Sequence, residues 1–452
     1  VAACRILIYL STVWLAIGAA PAAAQEFYEA LASAYASNPR LLAARAELRA
    51  VNEGVPQELS NYRPFVSING FAGAQEIDRN TGEGAETTYP FEASIGVSQP
   101  LYRGGRTVSG VARAEAEVHA QRAILKAIEQ DVLLSAAIAY MDVWRDEAVL
   151  RLNVNNERVL TRQLEATQDR FDVGELTRTD VAQSQARLAR ATAERIGAEG
   201  DLTASRAVFE EIIGIPPGTV EPPEPLAGLP KSEDDAVLAS LEGNPDIAAA
   251  EFAEKAAQHQ VRNSEGELYP EISLSAELLH SENTTSGESK TDAARLVAVL
   301  SIPLYQQGFV SSRVREDKQT ANQRRIEVQE TRRRVRQECT DAWEQLVTAG
   351  AQIRSFTAET RSTQIALEGV REENSVGQRT ILDVLDAEQE FLDAQINLTR
   401  ARRDDTVASF GILQCLGNLT AADLALPVNV YDPEVDYREV RDLWFGLTAP
   451  GD

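Results

Sequence analysis

Residues 372–393, E-E-N-S-V-G-Q-R-T-I-L-D-V-L-D-A-E-Q-E-F-L-D, constrain the fold more than any other stretch. Before them, residues 306–374 contain no proline; after them, Val384, Phe391 and Leu398 recur every seven residues, with Leu385 and Leu392 alongside. That spacing is a coiled-coil seam. Val376-Gly377 marks a reversal, because glycine enters positive φ without a steric penalty. The stretch therefore reads as the tip of a long helical hairpin. At an offset of 203 residues, Val173, Gly174, Asp180 and Val181 stand where Val376, Gly377, Asp383 and Val384 stand. The chain is internally duplicated.

The rest follows the same plan twice. Asn38-Pro39 is repeated as Asn244-Pro245 and Pro64 as Pro270, while Pro100-Leu101-Tyr102 returns as Pro303-Leu304-Tyr305. Trp343 follows Asp341 as Trp144 follows Asp142. The expected organisation is a leader over 1–24, a first repeat over 25–215, a linker over 216–235, a second repeat over 236–426 and a tail over 427–452 that packs near the middle of the helices. The leader shows Arg5, an apolar run from Ile6 to Ala20 and the small residues Ala22-Ala23-Ala24, as a secretory signal peptide does. Each repeat predicts a first helix (25–61 in the first), two strands, and a hairpin of long helices. A proline-free helix over 103–171 would be about 100 Å long.

The predicted strands are short and amphipathic. Phe91 to Ser98 and Ile272 to Leu278 alternate apolar with small or polar residues, the period of a strand with two unlike faces. Polar loops are expected over 76–88 and 281–292. Strands of about ten residues suit a tilted crossing of a bilayer. A lipid-exposed sheet edge is not tolerated, because its backbone groups find no water there, and the smallest barrels need ~8 strands. Four strands per chain therefore require several copies around one lumen. The competing reading is a periplasmic coiled-coil structural protein that never inserts in a membrane.

The charge balance narrows the partners. There are 69 acidic and 44 basic residues, a formal charge of -25, which disfavours nucleic acid and anionic lipid as general partners. Arg332, Arg333, Arg334 and Arg336 read as a solvated helix face. His119, His259 and His280 stand alone, and Gly82-Glu83-Gly84 is too short to cradle phosphate. No nucleophile elbow or P-loop is present, so no enzyme, cofactor or resident metal is expected. Energy for transport must then come from a partner protein.

The pattern V-G-x-R-T-I-L-D-V-L-D-A, the paired P-L-Y segments and the doubled strand-and-helix plan resemble the TolC family of outer-membrane efflux and type I secretion channels. The resemblance implies an α+β membrane protein: a homotrimer whose twelve-stranded β-barrel, four strands per chain, sits in outer-membrane lipid and continues into an α-helical coiled-coil barrel in the periplasm. It implies a passive exit duct working with a periplasmic adaptor and an inner-membrane ABC or proton-driven transporter. It also implies a gate at the helix tips formed by Thr179, Asp180, Arg379, Asp383 and Asp386, with Asp180 and Arg379 bridging. Asp383 and Asp386 share a helix face, so three copies would converge six carboxylates on the axis, a ring that favours cations. Val173, Gly174, Val376 and Gly377 are the implied adaptor contacts. Asn374 departs from the pattern, since the family often carries an aromatic residue there.

Two cysteines remain beyond the leader. Cys339 and Cys415 lie equally far from Gly377, so a helical hairpin places them at one height. They are either a disulfide, which the oxidising periplasm permits, or two buried thiols acting as small hydrophobes.

Overall fold

The computed structural model describes residues 22–78 and 85–449. Residues 1–21 of the expected leader and the Gly82-Glu83-Gly84 stretch lie outside the described residues. Three helices open the chain, α1 (Ala22–Ser37), α2 (Pro39–Asn52) and α3 (Gly54–Leu59), where the sequence reading had one. The first break is chemical: the Asn38 side chain caps α2 by accepting from the Arg40 N–H at 3.0 Å, and Pro39 occupies the first helical position.

Next come β1 (Phe65–Ala72), β2 (Gln75–Asp78), β3 (Ala85–Thr88) and β4 (Phe91–Arg103). The long arm α4 (Arg106–Asp172, 67 residues) and its return α5 (Arg178–Ile213) complete the first repeat. After a proline-rich crossing, α6 (Glu233–Gly243), α7 (Pro245–Gly266), β5 (Glu271–Glu282), β6 (Lys290–Ser301), α8 (Phe309–Ser375, 67 residues) and α9 (Ile381–Cys415) repeat the plan. A last helix, α10 (Pro433–Arg441), follows. At ~1.5 Å per residue, α4 and α8 are each about 100 Å long.

The two expected polar loops are shorter than the sequence suggests. β2 and β3 pair as a small ribbon, and β5 and β6 pair out to Glu282–Lys290. A ladder is made by backbone groups, so polar side chains do not end it.

The main sheet runs β1-β4-β5-β6, every pair antiparallel. Its register sorts side chains onto two faces. One carries the rows Val66–Val97–Ala276–Leu296 and Ile68–Ile95–Leu278–Ala294. The other is mixed, with the rows Ser67–Gly96–Glu277–Arg295, Asn69–Ser94–Leu279–Ala293 and Phe65–Ser98–Ser275–Val297. The register shifts between Pro100 and Tyr102, where proline offers no N–H to the ladder. At the sheet-to-helix corner Gly104 has φ 63°, and a Cβ there would lie 2.2 Å from the Gly266 carbonyl oxygen. Only glycine fits.

The core sits at the waist of the rods rather than in a globule. Phe27 and Leu31 of α1, Leu41 and Leu48 of α2, Leu133 and Met141 of α4, and Phe410 of α9 are buried together. The Phe27 ring meets Tyr140 edge-on at 5.0 Å and Phe410 at 5.3 Å. Each such side chain contributes ~1.5–3 kcal/mol by leaving water. Arg403 of α9 and Arg145 of α4 both hold Asp142, each at 2.8 Å, which joins the repeats. The arginines read as a solvated face are exposed, and two of them also pair across to α7: Arg332 with Glu251 at 2.6 Å and Arg334 with Asp246 at 3.1 Å.

Candidate functional site

Two regions hold the candidate functional residues, the sheet and the hairpin tips. On the sheet, Ile68, Ile95, Leu278 and Leu296 stand exposed on one face. Among the described residues of one chain β1 pairs only with β4 and β6 only with β5, which leaves both outer edges open. At the end farthest from the helices the apolar rows give way to charge on the same face: His280 pairs with Asp292 at 2.6 Å and Lys290 with Glu282 at 3.1 Å. His280 thus takes one carboxylate partner, Asp292, from the neighbouring strand. An apolar band bounded by charged groups is the outer surface of a membrane barrel.

The tips are built alike. Val173 ends α4 and Gly174 turns the chain at φ 83°, with the Glu175 N–H donating to the Arg170 carbonyl at 2.8 Å. Val376 and Gly377 (φ 78°) do the same after α8, where the Gln378 N–H donates to the Glu373 carbonyl at 2.9 Å. These closures satisfy carbonyls that a helix end leaves unpaired. Val173 and Val376 project into solvent beside their glycines.

Each return helix opens with a reciprocal cap. Asp180 accepts from the Thr177 N–H at 2.9 Å and the Thr177 hydroxyl at 2.8 Å, while the Asp180 N–H donates back to that hydroxyl at 3.3 Å. Asp383 and Thr380 reproduce the arrangement at 2.9, 2.8 and 3.3 Å. Thr179 is exposed in the first turn of α5. The expected Asp180–Arg379 bridge is not made within the chain: Asp180 serves the cap, and Arg379 pairs with Glu373 at 2.8 Å. A carboxylate three residues past a helix N-cap finds the cap's own donors closest. Asn374, in place of the aromatic residue, donates to the Arg379 carbonyl at 2.8 Å and braces the turn.

Contacts between hairpins come from elsewhere. Arg187 of α5 pairs with Asp386 of α9, so Asp386 is neutralised by a cation the sequence reading did not name. Beside it Leu160, Ala191, Ile381 and Leu385 bury one another, with Leu176 and Leu188 at the margin. Arg187 lies seven residues after Asp180, hence on the same helix face, and that spacing was the available signal. Within the second hairpin, Arg371 of α8 pairs with Glu388 of α9.

The Thr380 bonds, the backbone N–H first, hold the Asp383 carboxyl below its ordinary range, and Arg379 adds to this. A lowered carboxyl stabilises the tip above the ordinary carboxylate range and ceases to do so as pH falls through its own depressed range. Thr380→Ala is expected to cost about 1 kcal/mol of local stability. Hydrogen exchange at the Leu382 and Asp383 amides would then rise severalfold near neutral pH. Unaltered exchange would refute the cap.

At the waist-side base of the second hairpin, Cys339 and Cys415 are joined, with Cα atoms 5.4 Å apart. They are buried with Ala236 and flanked by Trp343 and Val237.

A sheet with one lipid-compatible face, hung on two rods that end in matched tips, defines the protomer of a membrane channel. Residues 30–214 and 237–418 match the family described as Outer membrane efflux protein. The chain belongs to that family, to which the TolC channels belong. The outer membrane efflux protein BepC of Brucella suis is 37% identical over 426 residues, covering 93% of this chain and 91% of that protein. The outer membrane protein TolC of Vibrio cholerae is 27% identical, covering 89% and 92%. Among solved structures, the Campylobacter jejuni CmeC outer membrane channel superposes with a TM-score of 0.80 at 14% identity, covering 92% and 89%. The protein is thus an outer-membrane exit duct of the kind used in efflux or secretion.

Proposed function

We propose that three copies close one barrel of twelve strands and one helical tunnel, and that the tunnel is shut at its tips until a partner opens it. The observation that carries this reading is the sheet with two open edges and one apolar face. Backbone groups on β1 and β6 cannot stay unpaired in hydrocarbon, so β1 of one copy meets β6 of the next. The opposite face, with Ser67, Asn69, Glu277 and Arg295, then lines a wet lumen.

The lock is the Arg187–Asp386 pair together with the Leu160–Ala191–Ile381–Leu385 cluster. A partly exposed ion pair contributes only ~0–1 kcal/mol, weak enough for a docking partner to undo. Asp383 remains at the aperture, but its charge is shared with the Thr380 cap. Thr179, Asp180 and Arg379 shape the tips around it. Val173, Gly174, Val376 and Gly377 form the surface for a periplasmic adaptor, and an inner-membrane transporter supplies the energy. Efflux is favoured over protein secretion, because a relative matched along 91% of its length is named an efflux protein, whereas the protease-secretion relatives are matched along 63% and 66% of theirs.

Arg187→Ala combined with Asp386→Ala is expected to raise single-channel conductance severalfold in planar bilayers. Conductance equal to that of the unaltered channel would sink the lock, and absence of any channel activity would sink the duct itself.

A further inference from the structure

The segment after α10 is an anomaly of the surface. Trp444 is 65% exposed, Phe445 91% and Leu447 104%, three large apolar side chains within four residues. Yet the arm that presents them is firmly held. Tyr437 packs against Val55, Ala114 and Val118, Arg122 pairs with Glu434 at 2.7 Å, and Arg441 with Glu115 at 3.2 Å. From there the chain reaches the foot of the sheet, where Arg63 donates to the Leu443 carbonyl and its guanidinium lies 4.9 Å over the Trp444 ring.

Arg63 stands two residues before β1, so this contact fixes the height of the segment. At the same helix-side ends of the strands stand Tyr62, Tyr102, Tyr269 and Tyr305, all exposed. Aromatic residues gather where hydrocarbon gives way to headgroups. The contact also indicates the side. Gln99, on the apolar face of β4, donates to the Tyr62 carbonyl at 2.9 Å, which sets the Tyr62–Arg63 turn on the lipid-facing side. The segment therefore continues the apolar band of the sheet at its lower margin.

We propose that Leu443–Leu447 is an interfacial anchor, inserting Trp444, Phe445 and Leu447 into the phospholipid leaflet that faces the helices. A ring plane with a polar N–H suits that depth. One copy supplies one anchor, so the assembled channel is tethered at its foot as well as through its barrel. Another chain as the occupant would need a surface at the same height, a level that lipid already fills beside the barrel.

The test uses the whole channel reconstituted in phosphatidylcholine vesicles brominated at shallow or deep chain positions. The emission of the native protein minus that of the Trp444→Phe variant isolates Trp444. Quenching about twofold or more by shallow bromines, weaker by deep ones, with protection from iodide, is expected for an interfacial ring. Ile95→Trp serves as the internal reference for the barrel's lipid contact. If Ile95→Trp is quenched and Trp444 is not, the anchor is wrong while the barrel stands; iodide protection without lipid quenching would assign the segment to a protein neighbour instead. If neither is quenched, the membrane placement of the sheet fails as well.

Discussion

Ile95→Arg is expected to remove the assembled channel from the outer-membrane fraction. Ile95 sits in the central row of the apolar face, between Ile68 and Leu278. An arginine at mid-bilayer on the lipid face costs ~2–4 kcal/mol per copy, and the proposed assembly would bear it three times. Against a native stability of ~5–15 kcal/mol for typical domains, such a sum is enough to stop assembly. Asn69→Arg, one residue along β1 but on the opposite face, should assemble normally, because its guanidinium enters water. Equal behaviour of the two variants, measured by membrane fractionation and unheated gel mobility, would show that the faces are not distinguished by lipid.

Replacing both Cys339 and Cys415 by alanine is expected to lower stability by about 4 kcal/mol, the chain-entropy value for closing so long a loop. The cysteines are 76 residues apart in sequence, and the bridge removes from the unfolded ensemble the freedom of nearly the whole second hairpin. Thermal dissociation should move down, and a reductant should move the unaltered protein the same way while leaving the double variant unmoved. Alkylation before reduction is expected to leave the intact mass unchanged. A protein that takes up two alkyl groups without reduction has free thiols, and the staple is then absent.

Much of this architecture can be read from the residues because it rests on local rules. Val173-Gly174 and Val376-Gly377 announce reversals because few residues tolerate φ near +80°. Phe91 to Ser98 announces a strand because its alternation has no other use. Local rules also show which partner each tip carboxylate takes within its own chain. Thr177-x-x-Asp180 and Thr380-x-x-Asp383 are capping sequences, so those carboxylates belong first to their own helices. The Arg187–Asp386 pair was hidden for the opposite reason. Its partners are 199 residues apart, and their meeting depends on how far two helices are rotated about their axes, which heptad spacing leaves free within a face. Polar strand ends such as Ser281–Thr291 read as loop because their side chains carry no apolar alternation, although Ser281 itself is buried.

α4 and α8 each contain 67 residues, and that equality restricts how this chain can vary. Removing two turns from one arm alone would retract its bend by about 10 Å, leaving a stepped rim on which alternate bends no longer touch a flat cap. Lengthening or shortening is therefore tolerable only as a matched pair of changes some two hundred residues apart, a genetic coincidence that keeps the duct's reach across its compartment nearly constant.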